Sequence, residues 1–103
     1  HYMIAVAGGD SVRCAPYAMF GTKELSDNIL EAIRDRKACL LSNHGLVAVG
    51  KDLNEAFNIA EEVEHLSRLF IEAKKIGEPL LLSDKQMTEV LNRFNSYGRW
   101  VKD

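Results

Sequence analysis

Two short apolar runs, ACLLS at 38–42 and LVAVG at 46–50, are separated only by Asn43, His44 and Gly45. No other feature restricts the fold as much. Two such runs with a three-residue gap read as a pair of buried strands joined by a tight turn. Gly45 is the residue expected to take a positive φ there, since it has no Cβ to clash. The arrangement puts His44 at a strand end, on a stiff support suited to a functional side chain.

The flanking segments supply the rest. Residues 2–7, YMIAVA, are apolar throughout and read as a buried strand. Gly8 to Ser11 reads as a turn, and VRCA at 12–15 as a short second strand ended by Pro16. Thr22 is placed to cap a helix over 23–34, with Leu25, Ile29 and Ile33 on one narrow face. Asp52 and Glu55 form a capping box for a helix reaching about residue 76, before Gly77 and Pro79. That helix is about 36 Å long at 1.5 Å per residue. Its apolar stripe runs from Leu53 through Phe57, Val63 and Phe70 to Ile76, and expects more cover than the rest of this chain provides. Ser83 and Gln86 form a second box, opening a helix to about residue 95 with Met87, Val90, Leu91 and Phe94 inward. Residues 83–103 are thus a final helix and a tail holding Tyr97 and Trp100.

A chain of 103 residues suits one small domain and is too short for two. A formal net charge of −2 gives no general signal for nucleic acid. No run approaches a membrane span, and none of these residues reads as a signal peptide or low-complexity tract. Two cysteines, Cys14 and Cys39, are too few for a disulfide scaffold and fit no structural zinc spacing. Both stand among apolar residues and are expected reduced and buried, as in a cytoplasmic protein. The first residue is His1, and a core strand at that point suits part of a longer chain.

Few residues carry chemistry. His65 lies among Glu61, Glu62 and Glu64, as a surface histidine does, and His1 is terminal. His44 reads either as a packed turn residue or as a ligand. One histidine is not a catalytic zinc site, which needs about three protein ligands and an open position. Tyr2 and Tyr97 are phenols usable as proton donors, but equally a sheet tyrosine and a tail anchor. On these grounds alone the chain is not established as an enzyme.

Taken together, HYMIAVAGGDSVRCAPYAMFGTKELSDNI, LLSNHGLVAVGKDLNEAFNIAEEVEHLSRL and LSDKQMTEVLNRFNSYG resemble the class II aldolase and adducin-head family, in its sugar-phosphate aldolase group. The likeness covers essentially the whole chain, in order. CAPY…FGT and NHG are weak motifs singly and strong as a set. The resemblance implies an α/β fold, an α/β/α sandwich with a mainly antiparallel central sheet. Residues 1–103 would be the C-terminal portion of a single domain.

What else it implies is more specific. NHG resembles the motif of the third zinc histidine, so His44 would be the metal ligand. The other two histidines (an HxH pair), a glutamate and the phosphate-binding residues would lie upstream of residue 1. Tyr2 and Tyr97 resemble catalytic tyrosines that reach a neighbouring subunit's site, and Phe20 and Phe94 the aromatic wall against the aldehyde. The cofactor would be one Zn(2+) per subunit of a cytoplasmic homotetramer, with active sites between subunits. The reaction would cleave a ketose 1-phosphate of the L-fuculose 1-phosphate type into dihydroxyacetone phosphate and an aldehyde such as L-lactaldehyde. Two departures stand out: Asn43 where a second histidine can occur, and a GEPLLLS linker one residue short. The alternatives are a pentulose-phosphate 4-epimerase, a methylthioribulose-phosphate dehydratase, or a non-catalytic adducin-like head. The HYM and FNSYG segments favour the aldolase. Alone, this chain is expected to be inactive.

Overall fold

The computed structural model describes residues 1–96. Its strands are β1 (Cys14–Ala15), β2 (Ala38–Leu41) and β3 (Gly45–Ala48). Its α-helices are α1 (Lys23–Ala32), α2 (Leu53–Ile76) and α3 (Asp84–Ser96), and a 3₁₀ helix covers Tyr2–Ala7.

The apolar runs around the turn form the expected hairpin. β2 and β3 pair antiparallel, from Ala38 opposite Ala48 to Leu41 opposite Gly45. Side chains alternate across a strand, so a run apolar at every position has two faces to bury. Cys39, Leu41 and Val47 pack with Leu25, Ile29 and Ala32 of α1 and with Ile33 at its C-terminal cap. Ala38, Leu40, Leu46 and Ala48 pack on the other side with Ile59 and Val63 of α2, and with Ala7. Helix, sheet and helix are thus three layers. The sheet order is β1-β2-β3, with β1 parallel to β2. The antiparallel ladder is the longer, four residue pairs against two.

The helix ends follow their signals. Thr22 Oγ1 accepts from Leu25 N–H at 3.2 Å, and Asp52 Oδ1 from Glu55 N–H at 2.8 Å. The second box is fully reciprocal: Ser83 Oγ accepts from Gln86 N–H at 3.2 Å, and Gln86 Oε1 from Ser83 N–H at 2.9 Å. Each such cap is worth about 1 kcal/mol. Glu55 does not complete the first box, because its carboxylate meets Lys37 Nζ at 3.2 Å instead. Helix α1 stops at Ala32, two residues short of the expected end. There Arg13 Nη1 donates to Ala32 O at 3.1 Å and to Arg34 O at 2.6 Å, satisfying carbonyls that a helix end leaves open.

Three expectations are corrected. Residues 2–7 are a 3₁₀ helix rather than a strand. His1 Nδ1 accepts from Met3 N–H at 3.1 Å at one end, and Gly8 in the left-handed region closes the other. An uninterrupted apolar run does not distinguish a buried strand from a buried helical turn, and this one has local caps at both ends. Second, Asn43, not Gly45, takes the positive φ of the hairpin turn, at 57°. Asparagine tolerates that region better than most residues. Third, Cys39 is buried but Cys14 is exposed. On a two-residue strand, alternation turns Ala15 inward and Cys14 out.

The thiols should therefore react unequally. Burial pushes the Cys39 thiol above its ordinary range, and neighbouring Cys14 adds to the shift. Only the thiolate is nucleophilic. A chromogenic disulfide reagent at neutral pH should label Cys14 promptly and Cys39 only on denaturation. A raised folded-state pKa also costs stability as pH climbs past about 8.5, where the unfolded thiol ionises first. Alkaline melts should reveal that loss, and Cys39→Ala should reduce it.

The α2 stripe is only partly covered. Ile59, Val63 and Leu66 are buried, whereas Leu53 is 88% exposed and Ile76 92%. On α3 the inward residues are Met87, buried, with Val90, Leu91 and Phe94 half-buried, as expected.

Candidate functional site

The hairpin turn is the most defined presentation of a chemically useful side chain. Leu41 and Gly45 are paired, so the loop is Ser42, Asn43 and His44. His44 N–H donates to Leu41 O at 3.1 Å, closing the turn. Ser42 N–H donates to Ala15 O at 3.1 Å, which ties the loop to β1. The His44 imidazole is exposed and makes no side-chain hydrogen bond to any described residue. Gly45 has an ordinary φ, and a Cβ built on it meets nothing within 4 Å.

The chemistry of this donor fits one position in a metal site. A neutral imidazole with an accessible lone pair is the commonest such ligand, and the turn holds it on a rigid strand end. It does not fill the site. Among the described residues, no group of three or more His, Cys, Asp or Glu side chains is arranged to hold an ion. His65 lies exposed on α2, as expected of a surface histidine.

The other expected residues stand apart from the hairpin. Tyr2 opens the 3₁₀ helix, 51% exposed, its ring centroid 4.5 Å from that of His1. It borders a groove of about 290 Å³ shared with Leu82, Gln86, Glu89, Val90 and Arg93 of the α3 region. Phe20 projects from the loop between β1 and α1 and is 75% exposed. That loop is fixed at both ends, since Thr22 Oγ1 donates to Met19 O at 2.7 Å and Asn28 Nδ2 to Pro16 O at 3.2 Å. Phe94 is half-buried on the inner face of α3. Tyr97 lies outside the described residues. Among the described residues, no hydrogen bond or ring contact joins His44, Tyr2, Phe20 and Phe94.

Sequence reasoning missed two features. A contact of 3.3 Å links Cys14 Sγ to Ser42 Oγ, beside the His44 turn. A larger open cavity of about 590 Å³ lies between the 3₁₀ helix and the start of α2, with Lys37, Lys51, Asn54 and Glu62 on its walls. Both depend on chain segments far apart in sequence, so no local spacing announces them.

This layered frame, a small sheet between helices, is the class II aldolase fold. Residues 1–71 match the family described as Class II Aldolase and Adducin N-terminal domain, and the chain belongs to that family. It is 46% identical over 104 aligned positions to the L-fuculose phosphate aldolase of Escherichia coli K12, using 100% of this chain and 48% of that protein. It is also 46% identical over 98 positions to the 5-deoxy-D-ribulose 1-phosphate aldolase of Bacillus thuringiensis serovar kurstaki, using 95% of this chain and 46% of that one. A solved structure of L-fuculose 1-phosphate aldolase superposes with a TM-score of 0.89 at 48% identity, over 92% of this chain and 44% of the other. The chain thus spans about half the length of the curated relatives it matches. No helix among the described residues is long and apolar enough to cross a membrane.

Proposed function

We propose that this chain is the C-terminal portion of a zinc-dependent aldolase that cleaves a ketose 1-phosphate to dihydroxyacetone phosphate and an aldehyde. The observation that carries the reading is His44: an exposed imidazole on a hairpin turn, its side chain bonded to no described residue, in a chain so similar to known sugar-phosphate aldolases. L-fuculose 1-phosphate, with L-lactaldehyde as product, is the first substrate to test. Identity to the 5-deoxy-D-ribulose 1-phosphate enzyme is as high, so the aldehyde half of the substrate is the open variable.

In this reading His44 supplies one ligand, and the remaining ligands come from outside these residues. A bound zinc supplies a Lewis acid for the charge that develops as the carbon–carbon bond breaks. Tyr2 and Tyr97 hold or deliver a proton at their phenolic oxygens on the aldehyde side. Phe20 and Phe94 give the aldehyde chain an apolar wall and exclude water. Tyr2 and Phe20 project outward, which suits service in a neighbouring subunit's site within a cytoplasmic homotetramer.

The test is release of dihydroxyacetone phosphate by the full-length protein from a panel of ketose 1-phosphates. Release abolished by chelation and restored by zinc supports the reading. Zinc bound without release from any substrate favours an epimerase or dehydratase on the same fold. The 103-residue chain alone should bind no zinc at sub-micromolar affinity by calorimetric titration, because one imidazole is too few.

A further inference from the structure

We infer that Cys14 and Ser42 are positioning residues for His44, their thiol–hydroxyl contact fixing the angle at which the turn presents the imidazole. The inference rests on the reading of His44 as a metal ligand.

The geometry runs outward from the sheet. β3 is an edge strand in the described sheet, so the 42–44 turn is braced by the β2–β3 ladder and by β1 on the far side of β2. Both ties to β1 pass through Ser42. Its N–H donates to Ala15 O at 3.1 Å, and its Oγ lies 3.3 Å from Cys14 Sγ. The backbone tie fixes where Ser42 sits, and the side-chain contact on the same residue adds a second hold on the turn. β1 is a firm support although only two residues long. Arg13, just before it, clamps the end of α1 through Ala32 O and Arg34 O, and Arg13 O accepts from Leu40 N–H at 2.8 Å. The Cys14 side chain contributes nothing to the core, since it is exposed. Its polar contacts among the described residues are Ser42 Oγ and a longer one of 3.8 Å to Ala15 O.

Groups that orient a ligand without touching the metal typically matter 10–100-fold, and an exposed, neutral contact belongs at or below the lower end. The experiment measures zinc affinity of the full-length protein by competition with a chromophoric chelator, alongside kcat and KM. Cys14→Ala and Ser42→Ala should each weaken zinc binding about three- to tenfold, with the melting temperature little changed. Cys14→Ser, which keeps a hydroxyl partner, should restore affinity to within about twofold. The double variant Cys14→Ala/Ser42→Ala should be no weaker than either single one, because both remove the same contact. Wild-type affinity in both alanine variants, or additive losses, would overturn the positioning role. His44→Ala is the control that separates the two readings. Zinc lost there but kept in the Cys14 and Ser42 variants sinks only the positioning inference. Zinc kept in His44→Ala sinks the ligand reading and this inference with it.

Discussion

Replacing His44 by alanine in the full-length protein should abolish zinc retention and reduce aldol cleavage by more than about 100-fold. Residues that merely orient metal ligands cost 10–100-fold when lost, so a ligand itself must cost more. The fold should not suffer. His44 is exposed, its side chain bonds to no described residue, and its N–H to Leu41 O survives the substitution. Surface changes of that kind stay within about 0.5 kcal/mol of wild type. Zinc content by elemental analysis, thermal melting and product release on one preparation give the answer. A folded His44→Ala protein that keeps full zinc and full activity would remove the hairpin from the site.

The companion substitution, Gly45→Ala, separates folding from function at the next residue. Gly45 has an ordinary φ and open space where a Cβ would go. Alanine at such a position stabilises by about 0.4–1 kcal/mol through the unfolded state. A gain in melting temperature with a loss of activity would mean that a ligand or a neighbouring subunit approaches that glycine closely. A gain with unchanged activity would mean that nothing does.

The hairpin and the helices were legible because their signals are local. Two uninterrupted apolar runs three residues apart leave little choice but paired strands. Caps such as Ser83 with Gln86 are written within four residues, and both of their hydrogen bonds form. The 3₁₀ helix was not legible, since YMIAVA has no alternation to separate strand from turn and its outcome depends on His1 and Gly8. The turn's φ was assigned to the wrong residue for a similar reason. Asn43 and Gly45 both tolerate positive φ, and register decides between them. A pairing of Leu41 with Gly45 puts Asn43 inside the loop and Gly45 on the strand.

Legibility of the site was of another kind. His44 was identifiable as a presented side chain from spacing, but not as a ligand, because one histidine does not make a metal site. Tyr2 and Phe20 carry no spacing signal: the phenol marks Tyr2 only as a usable proton donor, and family likeness alone singles out Phe20. Cys14 shows the limit of compositional reasoning. An apolar neighbourhood in sequence suggested burial, yet the strand's alternation turned the thiol outward, into reach of Ser42.

Gly8→Val should be strongly destabilising, costing about 2–4 kcal/mol. Gly8 has φ +94°, a region that costs L side chains about 1–2 kcal/mol and β-branched ones more. A Cβ there would also stand 3.1 Å from Lys37 N and 3.2 Å from Arg36 Cα, both backbone atoms that cannot swing aside. The joint has no slack, for Lys37 N–H donates to Ala7 O at 2.6 Å, and Val49 N–H to Lys37 O at 2.8 Å. Arg36 locks the same turn, donating to Ser11 O at 2.9 Å and pairing with Asp10 at 3.1 Å. Relief must therefore come from moving the 3₁₀ helix, which carries Tyr2 at its far end and buries Ala7 against α2. The His44 turn lies at the other end of the hairpin, where Ser42 N–H ties it to Ala15 of β1. Gly8→Val should thus lower the denaturation midpoint and weaken hydrogen-exchange protection in residues 3–8, while zinc affinity falls far less. An equal loss at both places would show the two regions to be one cooperative unit, and would mean that the hairpin depends on the 3₁₀ helix for its support.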